Sequence, residues 1–153
     1  IIITGNNPLP AGQCTWAVDG KTDRNGWDVV FRVSSGRDAY KWYTDNLILN
    51  AARGTIGYPG DIMVFNRSSS ISGFGAGHVA FITSRGYWNG KRAWTVRHAN
   101  WPGTFGQTVV ESHCGYNIKQ CTFVESSPGW VKIQNGSSLG STAYPISGFL
   151  YKK

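Results

Sequence analysis

The sequence predicts an α+β domain in which short helices precede an antiparallel sheet. Helical spacing of apolar residues is confined to the first third of the chain, and short runs rich in β-branched and aromatic residues follow from residue 61 onwards. Twenty glycines among 153 residues indicate many tight turns and disfavour a helical bundle. Helices that come first and strands that come later are typical of the α+β class.

Two helices are predicted near the amino terminus. The first begins at Cys14 and continues through "TWAVDG", whose last residue, Gly20, ends it. The second lies within residues 36–54, between two glycines, because its apolar residues recur at helical spacings. These residues are Ala39, Tyr40, Tyr43, Leu47 and Ala51.

Five strands are predicted downstream, each bounded by Gly, Asn, Ser or Pro. They cover residues 61–65, 78–84, 92–100, 130–134 and 148–151. No internal repeat and no long linker divides the chain, so we interpret residues 1–153 as a single domain. Because the chain begins with Ile and its one Met is Met63, we interpret it as a piece processed or excised from a longer protein.

Basic residues outnumber acidic ones by 15 to 8, which gives a net charge of +7. A basic surface attracts polyanions such as nucleic acid, anionic lipid headgroups or the anionic polymers of bacterial envelopes. The charges are scattered, and the one local cluster is Lys152–Lys153, so a generally basic surface is favoured over a dedicated nucleic-acid site. No apolar run approaches the ~18 residues that a membrane-spanning helix needs.

Three cysteines, Cys14, Cys114 and Cys121, restrict the possible chemistry. Cys114 and Cys121 flank a short polar segment that favours a turn, which predicts a disulfide between them. A metal site is the competing interpretation because His113 adjoins this pair, although a second close pair of ligands is missing from the sequence. A disulfide would indicate an oxidising compartment, either extracellular or periplasmic.

Cys14 is then the unpaired thiol, which is either a structural group in the core or a reactive nucleophile. Polar and small residues flank it, namely Gly12, Gln13 and Thr15, whereas a structural cysteine more often lies within an apolar face. Its position at a predicted helix start favours the thiolate, because unpaired N–H groups there stabilise negative charge. The sequence alone leaves both interpretations open.

A thiol nucleophile needs an imidazole as its base. His78 begins a strand directly after the glycine-rich "SGFGAG", where it is either that base or a surface histidine at a strand end. His98 and Asn100 share one face of a strand, and either can orient a catalytic imidazole. Trp101 would shield that hydrogen bond from water. We expect the third histidine, His113, to be structural or exposed.

Two other motifs are not assigned a catalytic role. The "GFGAG" stretch at 73–77 lacks the Lys-Ser/Thr pair and the following helix of a phosphate-binding loop. Its glycines indicate mobility or close approach of a substrate to the backbone. Asp61 is expected to fix the turn that precedes its strand.

Five segments in a fixed order resemble the CHAP family of cysteine, histidine-dependent amidohydrolases and peptidases. In chain order they are "GQCTW", "GRDAYKWYTDN", "YPGDIMVF", "GHVAFI" and "ANW". The resemblance covers roughly residues 12 to 101, and the final "YPISGFLY" is similar as well. Residues 102–145 match no family pattern that we can name, and we interpret them as an insertion that shapes specificity or docks a partner.

The resemblance implies a papain-like fold, with short N-terminal helices packed on an antiparallel sheet of about five to six strands. It also implies cleavage of an amide bond in bacterial peptidoglycan. The enzyme would be an N-acetylmuramoyl-L-alanine amidase or an endopeptidase that cuts the stem peptide or the cross-bridge.

Carried over residue by residue, the resemblance makes Cys14 the nucleophile and His78 the general base. Asn100 matches the asparagine of the family's Glu-x-Asn-aromatic stretch, but His98 stands at the glutamate position. A neutral imidazole accepts a hydrogen bond but supplies less negative charge than a carboxylate. The orienting group is therefore Asn100, His98 or both.

The implied mechanism needs no metal and no organic cofactor. The backbone N–H of Cys14, helped by Gln13, would hold the oxyanion. Trp16 and Trp101 would line a groove for glycan and peptide stems. We expect Trp42, in the middle of a predicted helix, to belong to the core instead.

The resemblance leaves the biological setting open among a phage lysin, a secreted remodelling hydrolase and an antibacterial effector, the last with a cognate inhibitor protein as its partner. In each case we expect a monomer that acts in the extracellular or periplasmic space. The alternative from another class is a non-catalytic cell-wall-binding module on the same fold, which would use its basic, aromatic surface. A specific nucleic-acid binder is disfavoured because the sequence supplies no recognition element.

Overall fold

The computed structural model describes residues 25–33, 35–71, 74–99, 107–109 and 118–153, together with Thr15, Val18 and Thr22. Strands make up 50% of these residues and helices 6%, so the described part of the chain is nearly all β. Its one helix of defined extent, α1, covers Lys41–Thr44. The strands are β1 Ala51–Gly54, β2 Ile62–Phe65, β3 His78–Trp88, β4 Lys91–Ala99, β5 Gln107–Val109, β6 Ile118–Ser127, β7 Trp130–Asn135, β8 Ser138–Leu139 and β9 Tyr144–Lys152.

Six of the strands form one closed antiparallel sheet, a small barrel. Their order around it is β9, β2, β3, β4, β6 and β7. The ring closes where Trp130 and Val131 of β7 pair with Pro145 and Tyr144 of β9. The other three strands are attached at the sides: β1 pairs with β9, β5 with β6, and β8 with β7.

The predicted α+β class, with short N-terminal helices packed on an antiparallel sheet, is therefore wrong. The helix expected within 36–54 is reduced to the single turn of α1. Asn46 has a positive φ of 51°, which ends the helical path, and Ile48 is extended and bridges to Phe31. Ala51 then begins a strand that pairs with β9. Among the apolar residues at helical spacing, Ala39, Leu47 and Ala51 are buried and Tyr40 and Tyr43 are half-buried. Leu47 and Ala51 lie on backbone beyond the end of α1.

The strand predictions are confirmed. Each of the five predicted segments contributes to a strand, and these are β2, β3, β4, β7 and β9. The segment 102–145, which matches no family pattern in the sequence, contains β5, β7, β8 and the long β6 as well. Two members of the closed sheet, β6 and β7, thus come from this segment.

Strand β2 and the first half of β3, residues 78–82, are buried on both faces. Along β2, Ile62 and Val64 pack into one apolar cluster with Trp42 and Phe31, whereas Met63 and Phe65 alternate into the barrel interior. Trp42 is fully buried, as predicted, and its ring packs edge-on against that of Phe31 at a centroid distance of 5.2 Å. Burial on both faces explains why "IMVF", the sequence of β2, is a continuous apolar run.

The same alternation sets which residues face the barrel interior. On β3, Ala80 and Ile82 face inward, and His78 is two residues before Ala80. On β4, Trp94 and Val96 face inward, and His98 is two residues after Val96. On β6 the inward residues include Cys121 and Phe123. Strand periodicity therefore places His78, His98 and Cys121 on one interior surface.

None of the helices within the described ranges has the length and apolar character needed to span a membrane.

Gly77 shapes the turn that leads into His78. Its φ is +69°, and the Tyr40 N–H donates to the carbonyl of the preceding Ala76. A Cβ at position 77 would lie 2.6 Å from the backbone oxygen of Phe65, the residue that pairs with His78 on β2. The backbone of β2 packs so closely against position 77 that glycine is required there.

We expect Gly77→Ala to lower the free energy of unfolding by at least about 2 kcal/mol, because left-handed backbone and overlap with a carbonyl both oppose a methyl group. Urea denaturation monitored by tryptophan fluorescence measures the change. Gly75→Ala in the same turn is the matched control, since nothing lies within 4 Å of its Cβ position. Equal stability of the two variants would contradict the inference that close backbone packing requires Gly77.

Candidate active site

Two histidines meet inside the barrel, one from the start of β3 and one near the end of β4. His78 Nε2 lies 2.9 Å from His98 Nδ1, which is a hydrogen bond between the two rings. The rings are arranged edge to face with centroids 4.9 Å apart. His78 is 2% exposed and His98 is fully buried, so this pair is shielded from solvent.

Aromatic rings surround the pair. Phe65 lies 5.6 Å from the His78 ring and Phe74 lies 6.3 Å from it, measured between centroids. Phe123 lies 6.0 Å from the His98 ring. The site is therefore a polar contact within an apolar interior, where a charged group is strongly disfavoured.

Burial keeps both imidazoles neutral. Desolvation lowers the pKa of His78 well below its ordinary value of 6.5, and the neighbouring His98 lowers it further. Desolvation also lowers the pKa of His98, to about 3. A neutral imidazole has one N–H and one lone pair, so one ring donates to the other and the tautomers of the two rings are linked. Since this bond uses His78 Nε2, any proton that His78 accepts from a nucleophile must go to Nδ1.

Cys121 is a further polar member of this interior. Its Sγ lies 3.5 Å from His98 Nε2, and burial raises the pKa of the thiol to about 12. The thiol is free and buried, so the predicted disulfide between Cys114 and Cys121 is not supported. Cys114 lies outside the described residues. The oxidising compartment expected from that disulfide gains no support from the described residues.

No group of three potential metal ligands from His, Cys, Asp and Glu occurs in the part of the chain that the structure describes. His113 and Cys114, which the competing metal-site interpretation would use, lie outside that part.

The structure thus brings together two of the predicted site residues, His78 and His98. The other residues predicted for the site lie outside the described ranges, and their roles stay predictions: Cys14, Gln13, Trp16, Asn100 and Trp101. The nearest described neighbour of Cys14 in the chain, Thr15, is helical and buried, as are Val18 and Thr22 at helical spacing. Thr15 and Val18 lie within the helix expected after Cys14, whereas Thr22 is helical beyond Gly20, the residue expected to end that helix.

The sequence interpretation missed Cys121 as a member of the site. The signal that could have found it is the alternation within "CTFV", which puts Cys121 and Phe123 on the same strand face. The turn-favouring residues Gly115 and Asn117 instead predict a turn that joins Cys114 to Cys121, whereas Cys121 lies within β6.

The neutral histidine pair makes stability sensitive to acid. Because the folded-state pKa of each ring lies below the unfolded value of about 6.5, the unfolded chain binds more protons as the pH falls. Stability is then lost progressively below pH 6.5, towards about pH 3 for His98. We expect the free energy of unfolding to fall by roughly 1 to 2 kcal/mol between pH 6.5 and 5 because of His98, and His78 to change it in the same direction.

Urea denaturation at pH 7, 6 and 5 measures this loss. His98→Gln removes one titrating ring, so its free energy of unfolding should change less with pH than that of the wild type. The carboxylates contribute equally to the pH dependence of the two proteins. Parallel profiles would contradict burial of a neutral His98.

Comparison with known proteins identifies the family. The sequence pattern described as the CHAP domain matches residues 4–100, which is more than half of the chain and includes Cys14, His78, His98 and Asn100. No curated protein and no solved structure matches the chain significantly. CHAP domains are in general cysteine, histidine-dependent amidohydrolases and peptidases that act on peptidoglycan. Because this match covers more than half of the chain, including strands β3 and β4 that carry the buried histidine pair, the chain belongs to the CHAP domain family.

Proposed function

We propose that this chain hydrolyses an amide bond of bacterial peptidoglycan, with Cys14 as nucleophile and His78 as general base. The observation that carries the proposal is the 2.9 Å hydrogen bond between His78 and His98 inside a chain of the CHAP family. A base held by a second buried ring has the fixed orientation that a thiol–imidazole pair requires.

Proton transfer begins the proposed reaction. His78, neutral in the apolar interior, takes the Cys14 thiol proton on Nδ1, and the thiolate attacks the amide carbonyl carbon. The tetrahedral oxyanion is held by the backbone N–H of Cys14, with Gln13 beside it. When the intermediate collapses, the C–N bond breaks and His78 gives its proton to the departing amine, which leaves a thioester.

Water completes the cycle. His78 takes a proton from the attacking water, the new C–O bond forms, and the C–S bond of the thioester breaks. The proton then returns to the Cys14 sulfur, so the enzyme is restored. Apart from the substrate and water, each of these steps uses groups of the chain.

His98 is the orienting group in this proposal. It contacts His78 directly, and its full burial lets the hydrogen bond form without competition from water. Because His98 is neutral, it does not stabilise an imidazolium as a carboxylate would. The positive charge on His78 therefore depends on the Cys14 thiolate that forms with it.

The substrate class fits the charge of the chain, since a net charge of +7 attracts the anionic polymers of bacterial envelopes. The reaction would take place in the extracellular or periplasmic space, where peptidoglycan lies. The bond is that of an N-acetylmuramoyl-L-alanine amidase or of a stem or cross-bridge endopeptidase. A lysin, a remodelling enzyme and an antibacterial effector with a cognate inhibitor would all use this chemistry.

We expect Cys14→Ala to lower turnover on purified cell walls at least about a thousandfold, because no other group replaces the nucleophile. Release of soluble fragments measures turnover, and their masses identify the bond that the wild type cuts. Near-ultraviolet circular dichroism checks that the variant is folded. Undiminished turnover by Cys14→Ala would overturn the mechanism.

Alkylation separates the enzyme from a non-catalytic wall-binding module. In a Cys114→Ser background, iodoacetamide at pH 6 should label one thiol rapidly, and Cys14→Ala in that background should remove the label. Cys121 is buried with a pKa raised to about 12, so it should react slowly. A Cys14 as slow as Cys121 would favour the binding module.

Comparison of His98→Ala with Asn100→Ala tests which residue orients the base. We expect His98→Ala to lower kcat/KM more than tenfold, which corresponds to ~1.4 kcal/mol of transition-state stabilisation. His98→Gln, which keeps an acceptor of similar size, should retain more activity. Losses below tenfold in both alanine variants would assign the orienting role to another group.

A further inference from the structure

Three polar side chains form one row through the barrel interior. Cys121 Sγ lies 3.5 Å from His98 Nε2, and His98 Nδ1 lies 2.9 Å from His78 Nε2. Cys121 pairs with Val96, two positions before His98 on β4, so Cys121 and His98 are diagonal neighbours on the same face. Strands β4 and β6 are paired by backbone hydrogen bonds, and their register brings these two side chains together.

Protons can occupy this row in two arrangements. In the first, His98 carries its proton on Nε2 and donates it towards Cys121 Sγ, and its Nδ1 accepts the Nε2–H of His78. In the second, the Cys121 thiol donates to His98 Nε2, and His98 Nδ1–H donates to His78 Nε2. Each arrangement decides which nitrogen of His78 carries the lone pair, because each neutral ring has one proton.

The two arrangements differ in what His78 can do. In the first, the proton of His78 is on Nε2 and the lone pair is on Nδ1, the nitrogen that must accept the thiol proton. In the second, Nδ1 already carries the proton of His78, so the ring cannot act as a base there. The hydrogen-bond partner of His98 Nε2 therefore determines whether His78 can act as a base at Nδ1.

We propose that Cys121 is a positioning residue of the thiol mechanism, whose sulfur accepts the Nε2–H of His98 and so keeps the lone pair of His78 on Nδ1. This inference rests on the proposed function, because it presumes that His78 takes a proton from Cys14. Cys121 lies outside the residues matched to the family, on a strand that completes the closed sheet.

The surroundings of Cys121 suit this role. An imidazole N–H is a stronger donor than a thiol S–H, and the sulfur is a polarisable acceptor. Burial raises the pKa of Cys121 to about 12, so it stays a neutral thiol and does not compete with Cys14 as a nucleophile. The sulfur is thus held beside the histidine pair without adding a charge to the apolar interior.

Steady-state kinetics of the full chain on cell walls test the role. Cys121→Ala should lower kcat about five- to tenfold with KM unchanged, the loss that one neutral hydrogen bond accounts for. Cys121→Ser, which keeps an acceptor, should restore most of kcat. Val131→Ala, a similar truncation in the same buried cluster, is the control and should leave kcat near the wild-type value. A wild-type kcat in Cys121→Ala, or an equal loss in Val131→Ala, overturns the inference.

Nitrogen-15 NMR of the histidine rings reads the tautomer without turnover. We expect His98, assigned by the signal lost in His98→Gln, to carry its proton on Nε2 in the wild type and to shift towards the Nδ1–H form in Cys121→Ala. An active wild type with Nδ1–H on His98 would overturn this inference alone. A wild type with the expected tautomer but no turnover would overturn the proposed function, and the role of Cys121 with it.

Discussion

Closure of the sheet between β7 and β9 determines where the polar side chains of the site lie. Two registered pairs, Trp130 with Pro145 and Val131 with Tyr144, turn six strands into a ring. In a ring this small the inward side chains fill the centre and touch one another. Side chains from β3, β4 and β6 therefore become neighbours although they are far apart in sequence. The histidine pair and the buried cysteine are consequences of this closure.

The apolar interior decides which kind of orienting group can work there. A carboxylate at position 98 would be an ionised group among Phe rings, and it would need several hydrogen bonds to offset its desolvation. His98 avoids that requirement because it stays neutral and bonds to His78 through one ring nitrogen. The departure from the family's Glu-x-Asn-aromatic pattern thus agrees with the packing around it. A neutral orienting group gives direction to the base, while the nucleophile supplies the compensating charge.

The sequence predicts the strands well, because they depend on two-residue periodicity that is visible locally. It names both His78 and His98 as site candidates, which the structure places in contact, but it does not choose between His98 and Asn100 as the orienting group. The fold class fails because residues 36–54 have helical spacing, and only tertiary pairing of Ala51–Gly54 with β9 overrides it. Cys121 is missed for a related reason: β6 is largely polar, and its inward face becomes apparent only once β4 and β7 pair with it. Pairing between strands that are distant in sequence cannot be predicted from a short segment of the sequence.

The two strands that complete the ring, β6 and β7, lie beyond the residues that match the family, which end at position 100. A fragment trimmed to that boundary would also lose β9, the partner of both β1 and β2. It would leave β2 and β4 as open edges, with Met63, Trp94 and Val96 exposed on the former inner surface. Open edges beside bare apolar surface invite pairing with other chains, so such a fragment would aggregate. The unit that folds is therefore larger than the unit that the family pattern delimits.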